Sequence, residues 1–177
     1  WRQWQLSGYK VGEKRITIRG ELIKETNDLK PPFWAYNFFE NELLMSSYHM
    51  SNKTIPYYVE KLIDFQPEIV YAYPSSVYLL AYYMIEKNIK YKLKGVFTSS
   101  ETVLDYQKNT IEKAFDCTLF DWYGMAERVA AIGTCEYGRY HEISDYSIVE
   151  YNQVTEKEYE VIGTTLHNYV MPLLRYN

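Results

Sequence analysis

The stretch EIVYAYPSSVYLLAYYMIE, residues 68–86, combines a short apolar strand with an amphipathic helix that follows it directly. Beyond the proline, apolar residues return at positions 77, 80, 81, 84 and 85, a spacing typical of one face of a helix. The pattern repeats, because KGVFTSS (94–100) predicts a second strand with a helix behind it and CTLFDWY (117–123) predicts a third strand. Strands that alternate with helices in this way predict parallel neighbours in one sheet, covered by the helices.

The segments on either side extend this prediction. Upstream, RITIRGELI (15–23) alternates like a strand, and SNKTIPYYVEKLIDFQ (51–66) carries helical apolar spacing. Downstream, the region after residue 140 alternates with short turns, which predicts antiparallel strands in a small barrel or a flanking sheet. We therefore predict an α/β fold, with a mostly parallel sheet and flanking helices in residues 1–140 and antiparallel β hairpins in residues 141–177.

The composition excludes several classes of function. The chain has 177 residues, 47% of them hydrophobic, which is enough for one sizeable core. Its net charge of −4 argues against a nucleic-acid groove, which needs a clustered basic face. No stretch approaches the roughly 20 apolar residues of a membrane span, so we expect no membrane span. Two cysteines are too few for a disulfide framework, so we expect the reducing environment of the cytoplasm.

Polar side chains follow each of the three predicted strands, in YPSS (73–76), TSSE (98–101) and YGMAE (123–127). The carboxyl ends of parallel strands meet at one edge of a sheet, and ligands bind at that edge in open α/β folds. Helix capping is the alternative for each loop taken singly, with Thr102 and Asp105 also fitting a capping box. The candidate cap residues are Ser75, Ser76, Ser100 and Thr102.

Two carboxylates and an aromatic ring at one edge exceed what capping requires. Tyr123 offers a flat face for a purine, and Gly124 lets a ligand approach the backbone. Glu127, expected one helical turn beyond the tyrosine, is a candidate ligand of Mg²⁺. Glu101 and Asp121 can accept hydrogen bonds from an amine or a hydroxyl. The sequence therefore predicts a nucleotide site.

Several motifs resemble the adenylate-forming superfamily, which includes the acyl-coenzyme A synthetases. YGMAE (123–127) is similar to its Tyr-Gly-x-Ser/Thr-Glu motif, and NYVMPLLRYN (168–177) to a stretch with a proline followed by Arg-Tyr. FQPEIVYAYPSSVYLLA (65–81) resembles the phenylacetate-coenzyme A ligase branch, and VFTSSETV (96–103) resembles the Gly/Ala-Glu adenine loop of that branch. Within the branch, GTCEYGRYHEISDYSIVEY (133–151) most resembles the capsular-polysaccharide-biosynthesis group.

This resemblance, which covers residues 50–177, implies the large-domain fold of an acyl-coenzyme A synthetase and a two-step reaction. A small carboxylic acid attacks the α-phosphate of ATP, giving an acyl-adenylate and pyrophosphate, and a thiol such as coenzyme A then takes the acyl group. Mg²⁺ is the implied metal, and Glu127 would be the catalytic residue that holds it at the phosphates.

The resemblance also implies binding residues. Tyr123 would stack on adenine, and the acyl pocket would be bordered by Gly124, Met125 and Ala126, with Tyr73 nearby. The nucleotide slot would further be lined by Ser99, Ser100, Glu101, Asp121 and Trp122.

Some parts of the family pattern do not fall within residues 1–177. The phosphate loop would lie upstream, and the ribose-binding aspartate, the catalytic lysine and the mobile C-terminal lid domain would lie downstream. We therefore read the chain as a fragment of a longer protein, incomplete at its C-terminus and inactive by itself, whose partner is the remainder of its own chain. Ala126 also stands where the family usually has serine or threonine, which removes a hydroxyl from the phosphate end.

Four further residues are candidates with open alternatives. Cys135 and His141 lie where some relatives of this branch carry zinc, the alternative being a free thiol and an unrelated histidine. His49 falls near an acyl gate of some family members, the alternative being a hydrogen-bonded loop histidine. Arg175 is a candidate partner for phosphate or for a domain hinge, the alternative being a solvated side chain.

Three functions therefore remain at the level of sequence. The first is an ATP-dependent carboxylate-activating enzyme of which the chain is the central segment. The second is a non-catalytic scaffold with the same fold, towards which Ala126 leans. The third is an unrelated doubly wound nucleotide-binding domain, such as a sugar-nucleotide-dependent transferase.

Overall fold

The computed structural model describes residues 2–176, and the chain divides into two compact units, Trp1–Phe120 and Asp121–Asn177. The first unit contains α1 (Arg2–Leu6), β1 (Arg15–Arg19), β2 (Trp34–Asn37), β3 (Glu42–Ser46), α2 (Ile55–Phe65), β4 (Ile69–Ala72), α3 (Pro74–Glu86), β5 (Gly95–Ser99) and α4 (Asp105–Phe115). β6 (Leu119–Gly124) begins in the first unit, and the second contains its end, β7 (Ala131–Thr134), β8 (Tyr140–Glu142), β9 (Ser147–Gln153), β10 (Tyr159–Thr165) and β11 (Leu173–Tyr176).

The sheet of the first unit confirms the predicted α/β fold. β3, β1, β4 and β5 run parallel, with β2 as an antiparallel edge, in the order β2-β3-β1-β4-β5. β6 begins beside β5, where the rings of Phe97 and Phe120 stack with their centroids 5.0 Å apart. The predicted division at residue 140 concerns the domains of the complete protein and stays a prediction.

The two faces of this sheet are covered unequally. On one face, Ile16, Ile18 and Val70 pack in a large core against the apolar sides of α2, α3 and α4. On the other face a small cluster around Phe97 is covered by Trp4 of α1. Apolar burial at about 25 cal/mol per Å² is the main favourable term in folding, so the helical face contributes most of this unit's stability.

The starts of α3 and α4 correct the predicted caps. The N-cap residue of α3 is Tyr73, and that of α4 is Leu104. None of the four predicted cap residues occupies an N-cap position, namely Ser75, Ser76, Ser100 and Thr102. Because Pro74 has a fixed φ and no N–H, it begins α3 and leaves both serines inside the first turn. At α4 the predicted box of Thr102 and Asp105 is replaced by the Gln107 side chain, which accepts the Leu104 N–H at 3.0 Å.

The second unit confirms the predicted antiparallel strands. β9, β10 and β11 form a three-stranded antiparallel sheet in the order β11-β10-β9. Antiparallel pairing begins earlier than predicted, because β7 pairs with the end of β6 and β8 pairs with β7. Within residues 2–176, no helix has both the length and the apolar character that crossing a membrane requires.

A close approach of two backbone segments shapes the second unit. The loop between β6 and β7 lies on β10, so that a Cβ atom at Gly163 would be 2.4 Å from the carbonyl oxygen of Val129. Real Cβ atoms do not approach backbone atoms this closely, so either the loop or the strand would have to move. Glycine at position 163 therefore allows the loop to take its observed place.

We expect Gly163→Ala to lower the free energy of unfolding by about 2–4 kcal/mol, because the new methyl group overlaps a backbone carbonyl. Gly20→Ala is the matched control, because the atom nearest to its new Cβ is the hydroxyl of the exposed Tyr48 side chain, at 3.1 Å. We expect the control to change the same free energy by less than about 1 kcal/mol. Urea unfolding followed by circular dichroism measures both, and equal effects of the two substitutions would contradict the contact.

Candidate functional site

The loops after β4 and β5 come together in the first unit, as the sequence predicts. The two strands pair in parallel, with Ala72 opposite Thr98, so their carboxyl ends lie side by side. Glu101, in the second loop, accepts hydrogen bonds from the Ser75 backbone N–H at 2.9 Å and the Ser75 hydroxyl at 3.0 Å. A carboxylate at a helix N-terminus is favourable because it faces unpaired N–H groups. Both oxygens of Glu101 therefore anchor α3.

The two serines of the second loop have different surroundings. Ser99 is buried at the end of β5 and accepts a hydrogen bond from Arg19. Ser100 is exposed, has φ +72°, and places its hydroxyl 3.3 Å from that of Ser99. A left-handed backbone is uncommon for a residue other than glycine and clusters at ligand-binding sites. Tyr73, half-buried at the end of β4, lies on the same edge.

In the second unit, the conspicuous motif of the sequence forms the end of β6 and a turn. Tyr123 is 40% exposed, and Gly124 is exposed with the Trp122 indole beside it. Glu127 lies in a turn and not in a helix, which corrects the expected helical spacing from the tyrosine. The helix does not form because the chain returns at once into β7, which pairs with β6. Around the glutamate, Met125 is half-buried and Ala126 exposed.

Asp121 is held by its neighbours. It is buried, its backbone N–H donates to the Thr134 hydroxyl at 2.7 Å, and its carboxylate accepts the Tyr140 hydroxyl at 2.6 Å. Burial and the adjacent carboxylate raise the pKa of Tyr140. Hydrogen bonds to a charged acceptor are stronger than neutral ones, so this pair holds β8 against β6. The geometry favours a structural role for Asp121 beside its predicted role in a nucleotide slot.

Glu127 lines a pocket of about 600 Å³ in the second unit. This volume is within the range of small-molecule sites. The polar groups of its wall include a carboxylate, a guanidinium, an imidazole, an amide and hydroxyls, which suit an anionic ligand accompanied by a cation. Besides Glu127 and Ala126, the wall consists of Arg128, Tyr146, Thr165, His167, Asn168, Tyr169 and Val170.

The sequence prediction missed these last seven residues of the wall. Five of them lie at the end of β10 or just after it, at positions 165 and 167–170. The signal available in the sequence was the motif at residues 168–177, whose first three residues form part of this wall. The sequence prediction used that motif only to recognise the family, and Arg175 was the one residue of the motif to which it gave a role.

The candidate metal ligands behave differently from one another. Mg²⁺ prefers oxygen ligands and keeps several waters or phosphate oxygens, so Glu127, in a pocket that Thr165 also lines, suits it. Cys135 and His141 are close, with Sγ and Nε2 3.3 Å apart. Structural zinc takes four ligands, and residues 2–176 contain no group of three candidate ligands, so the residues described do not fit zinc.

The remaining two candidates are engaged in the fold. His49 is buried, stacks on Phe33, and has one ring nitrogen 2.9 Å from the Ser46 hydroxyl and the other 3.0 Å from the Glu25 carbonyl oxygen. This geometry favours the alternative of a hydrogen-bonded loop histidine. Arg175 pairs with Glu160 at 2.6 Å, and this hydrogen bond lowers the pKa of the glutamate.

The comparisons with known proteins agree with the motifs. No protein-family model matches the chain. The chain is 32% identical to Protein CapK of Staphylococcus aureus over 171 residues, which cover 96% of this chain and 38% of that protein. The chain is a homologue of Protein CapK. The chain spans less than two thirds of the length of that relative, so the match does not establish the activity of the whole protein.

Solved structures identify the fold. A 2-hydroxyisobutyryl-CoA ligase in complex with R3-HIB-AMP matches with a TM-score of 0.64 and 16% identity, over 94% of this chain and 38% of that chain. The anthranilate CoA ligase AuaEII in complex with anthranoyl-AMP matches with a TM-score of 0.55 and 12% identity, over 98% and 39% of the respective chains. The fold is therefore that of adenylate-forming CoA ligases, as the motifs predicted.

We expect Tyr140→Phe to lower the free energy of unfolding by about 1–2 kcal/mol near neutral pH, because the buried Asp121 carboxylate loses a donor. The raised pKa of Tyr140 means that its contribution is complete below the ordinary tyrosine pKa of about 10 and disappears as pH rises through the folded value. The difference from wild type should therefore shrink above about pH 10.

The control for this experiment is Tyr137→Phe, since Tyr137 is 82% exposed. Urea unfolding at a series of pH values measures both variants. A control that loses as much stability as Tyr140→Phe, or a difference that grows above pH 10, would contradict the assignment.

Proposed function

We propose that the chain is the central segment of an enzyme that activates a small carboxylic acid with ATP. Three observations support this: the homology to Protein CapK, the adenylate-forming ligase fold, and the pocket beside Glu127. The observation that carries the proposal is the position of Glu127, at the turn after β6, in a pocket with the groups that an anion and a cation require.

The proposed reaction has two steps. A carboxylate oxygen of the acid attacks the α-phosphorus of ATP, the bond from that phosphorus to the bridging oxygen breaks, and pyrophosphate leaves. A thiol, proposed to be that of coenzyme A, then attacks the acyl carbon, AMP leaves, and the thiol proton passes to solvent or a base. Pyrophosphate is a stable leaving group when its charge is neutralised, so positioning and charge neutralisation are the main catalytic requirements.

In the second unit, Glu127 would hold Mg²⁺ at the phosphate end of the nucleotide. Mg²⁺ would neutralise phosphate charge and orient the leaving group. The Thr165 hydroxyl and the Asn168 amide, which line the same pocket, can hydrogen-bond phosphate or metal-bound water. Tyr123, 40% exposed at the end of β6, is proposed to stack on a base. Met125 and Ala126 would border the acyl group.

In the first unit, Ser99, Ser100 and Glu101 are proposed as contributors to the adenine slot, with Tyr73 beside the acyl group. The exposed, left-handed Ser100 supports this, because its hydroxyl and backbone are accessible. Glu101 keeps acceptor capacity on its two oxygens beyond the bonds to Ser75, so it can anchor α3 and accept from an amine together.

The finer parts of the proposal concern the whole protein. The name of the relative Protein CapK and the motif at 133–151 support a role in capsular polysaccharide biosynthesis. Both cysteines are free thiols, which supports the cytoplasm as the place of the reaction. The rest of the chain, including a C-terminal lid domain, would supply the groups absent from residues 1–177, so the isolated segment would not turn over ATP.

The non-catalytic scaffold is the second candidate, because Ala126 places a methyl group where the family has a hydroxyl. The side chain is exposed and lines the Glu127 pocket, so a serine there would add a donor toward the ligand. In a scaffold, neither Glu127 nor position 126 would affect chemistry. In a ligase, Ala126→Ser would preserve or increase the exchange rate.

We expect Glu127→Ala in the complete protein to reduce acid-dependent ATP–pyrophosphate exchange by at least about a hundredfold, because removing a metal ligand exposes phosphate charge. The matched control is Glu136→Ala, a carboxylate that is exposed on the surface. Exchange is measured with a panel of carboxylic acids, and circular dichroism checks that each variant is folded.

The outcomes separate the two functions. Exchange that is lost in Glu127→Ala and kept in Glu136→Ala is the result expected for a ligase. Exchange that survives in both variants would remove Glu127 from the mechanism. If the complete protein shows no pyrophosphate exchange with any acid of the panel, and Ala126→Ser does not restore it, the result would favour the scaffold.

A further inference from the structure

Arg19, at the carboxyl end of β1, is a charged side chain whose hydrogen bonding and charge the fold does not fully satisfy. It forms no ion pair with any carboxylate among residues 2–176. Its Nε–H is buried and has no hydrogen-bond acceptor. A buried donor without a partner has lost its hydrogen bond to water and gained none in return. This costs free energy, so such atoms are rare in folded proteins.

The contrast with Arg15, on the same face of the same strand, shows that the sheet can satisfy a guanidinium. Arg15 donates to Glu42 at 3.1 Å and to Glu40 at 2.9 Å. Its ring neighbour is Trp4, whose centroid lies 5.5 Å from the guanidinium carbon. Burial alone lowers the pKa of Arg15, but the hydrogen bonds with Tyr9, Glu40 and Glu42 outweigh it and raise the net value. Among the described residues, the arginine at the amino end of β1 is therefore paired with carboxylates, and the arginine at the carboxyl end is not.

The surroundings of Arg19 form a small cradle. Its Nη2 donates to the hydroxyl oxygens of Tyr71 and Ser99. The guanidinium carbon lies 4.1 Å from the ring centroid of Tyr71 and 5.3 Å from that of Tyr73. The hydroxyl of the exposed Ser100 is 3.3 Å from that of Ser99. Two aromatic rings and the hydroxyls of Tyr71 and Ser99 therefore surround a cation whose buried Nε–H is unused.

This cradle suits a carboxylate better than a phosphate. A carboxylate has one negative charge and a flat face, and it accepts a charge-assisted hydrogen bond from a guanidinium N–H. Phosphate sites use backbone N–H groups of a helix N-terminus, often with a lysine. The nearest such terminus, that of α3, already holds the Glu101 carboxylate. One unpaired guanidinium therefore matches the charge of one carboxylate.

We propose that Arg19 binds a carboxylate of the acid substrate, and that this carboxylate is the one that does not react. The assignment of the ligand as a substrate rests on the proposed function. The reacting carboxylate must keep its electron density for attack on phosphorus, and a charge-assisted hydrogen bond from a guanidinium would reduce it. The substrate class is therefore a dicarboxylic acid, one carboxylate of which pairs with Arg19.

Binding is tested first without nucleotide, on the complete protein. Titration calorimetry with succinate should give saturable binding, and Arg19→Gln should weaken it by at least about tenfold, because the charge-assisted hydrogen bonds are lost. Arg19→Lys, which keeps the charge but not the Nε–H, should weaken it by less. Lys90→Gln removes an equal charge from an exposed site and should leave binding unchanged. Butyrate, which lacks the second carboxylate, should not compete with succinate in the micromolar to millimolar range.

A second measurement needs no variant. In nitrogen–proton correlation spectra, the Arg19 Nε–H resonance of the wild-type protein should move downfield as succinate is added, because the unused donor gains an acceptor. An unmoved resonance during saturable binding would overturn the assignment to Arg19. Inorganic phosphate that binds as tightly as succinate, with the same dependence on Arg19, would overturn the assignment to a carboxylate.

Pyrophosphate exchange separates this inference from the proposed function. Succinate should support exchange with a higher kcat/KM than butyrate, and Arg19→Gln should remove this preference mainly through KM. Exchange that is equal for both acids, and unchanged in Arg19→Gln, would refute the dicarboxylate inference and leave the ligase standing. If succinate binds in an Arg19-dependent way but no acid supports exchange, the ligase proposal is refuted. Succinate would then be a ligand and not a substrate, and the carboxylate site at Arg19 would remain.

Discussion

The contact between Gly163 and the carbonyl oxygen of Val129 is the constraint on which the candidate pocket depends. It allows the turn that carries Glu127 to lie on β10, whose last residue Thr165 lines the same pocket together with Asn168. Any side chain at position 163 would have to displace one of the two backbones by van der Waals overlap. The absence of a Cβ atom in one strand therefore brings together groups that lie about forty positions apart in the chain.

The first unit follows a different principle, in which charge is balanced at one end of the sheet and unbalanced at the other. Two glutamates neutralise Arg15 at the amino end of β1. At the carboxyl end, Glu101 neutralises the start of α3, and Arg19 keeps its charge among aromatic rings and hydroxyls. Buried charges are usually paired because desolvation is costly. A departure from that rule at the edge where α/β sheets bind ligands points to function more than to stability.

The sequence predicted those parts of the structure whose signal is local. The apolar spacing of residues 77–85 and the short apolar run of β5 are read from neighbouring positions, and both elements are confirmed. The predicted caps of α3 were wrong because Pro74 sets the start of that helix, and Glu127 was misplaced because a hairpin follows it. The wall after β10 and the unpaired Arg19 were missed because each depends on contacts between distant segments, which periodicity does not encode.

The central claim is that Glu127 holds the metal of a bound nucleotide. A crystal structure of the complete protein with ATP and Mn²⁺, which replaces Mg²⁺ and scatters anomalously, tests it most directly. We expect an anomalous peak within about 2.5 Å of a Glu127 carboxylate oxygen, the distance range of hard-cation ligands. A nucleotide-bound peak that lies away from this carboxylate, with Glu127 contacting neither metal nor phosphate, would contradict it.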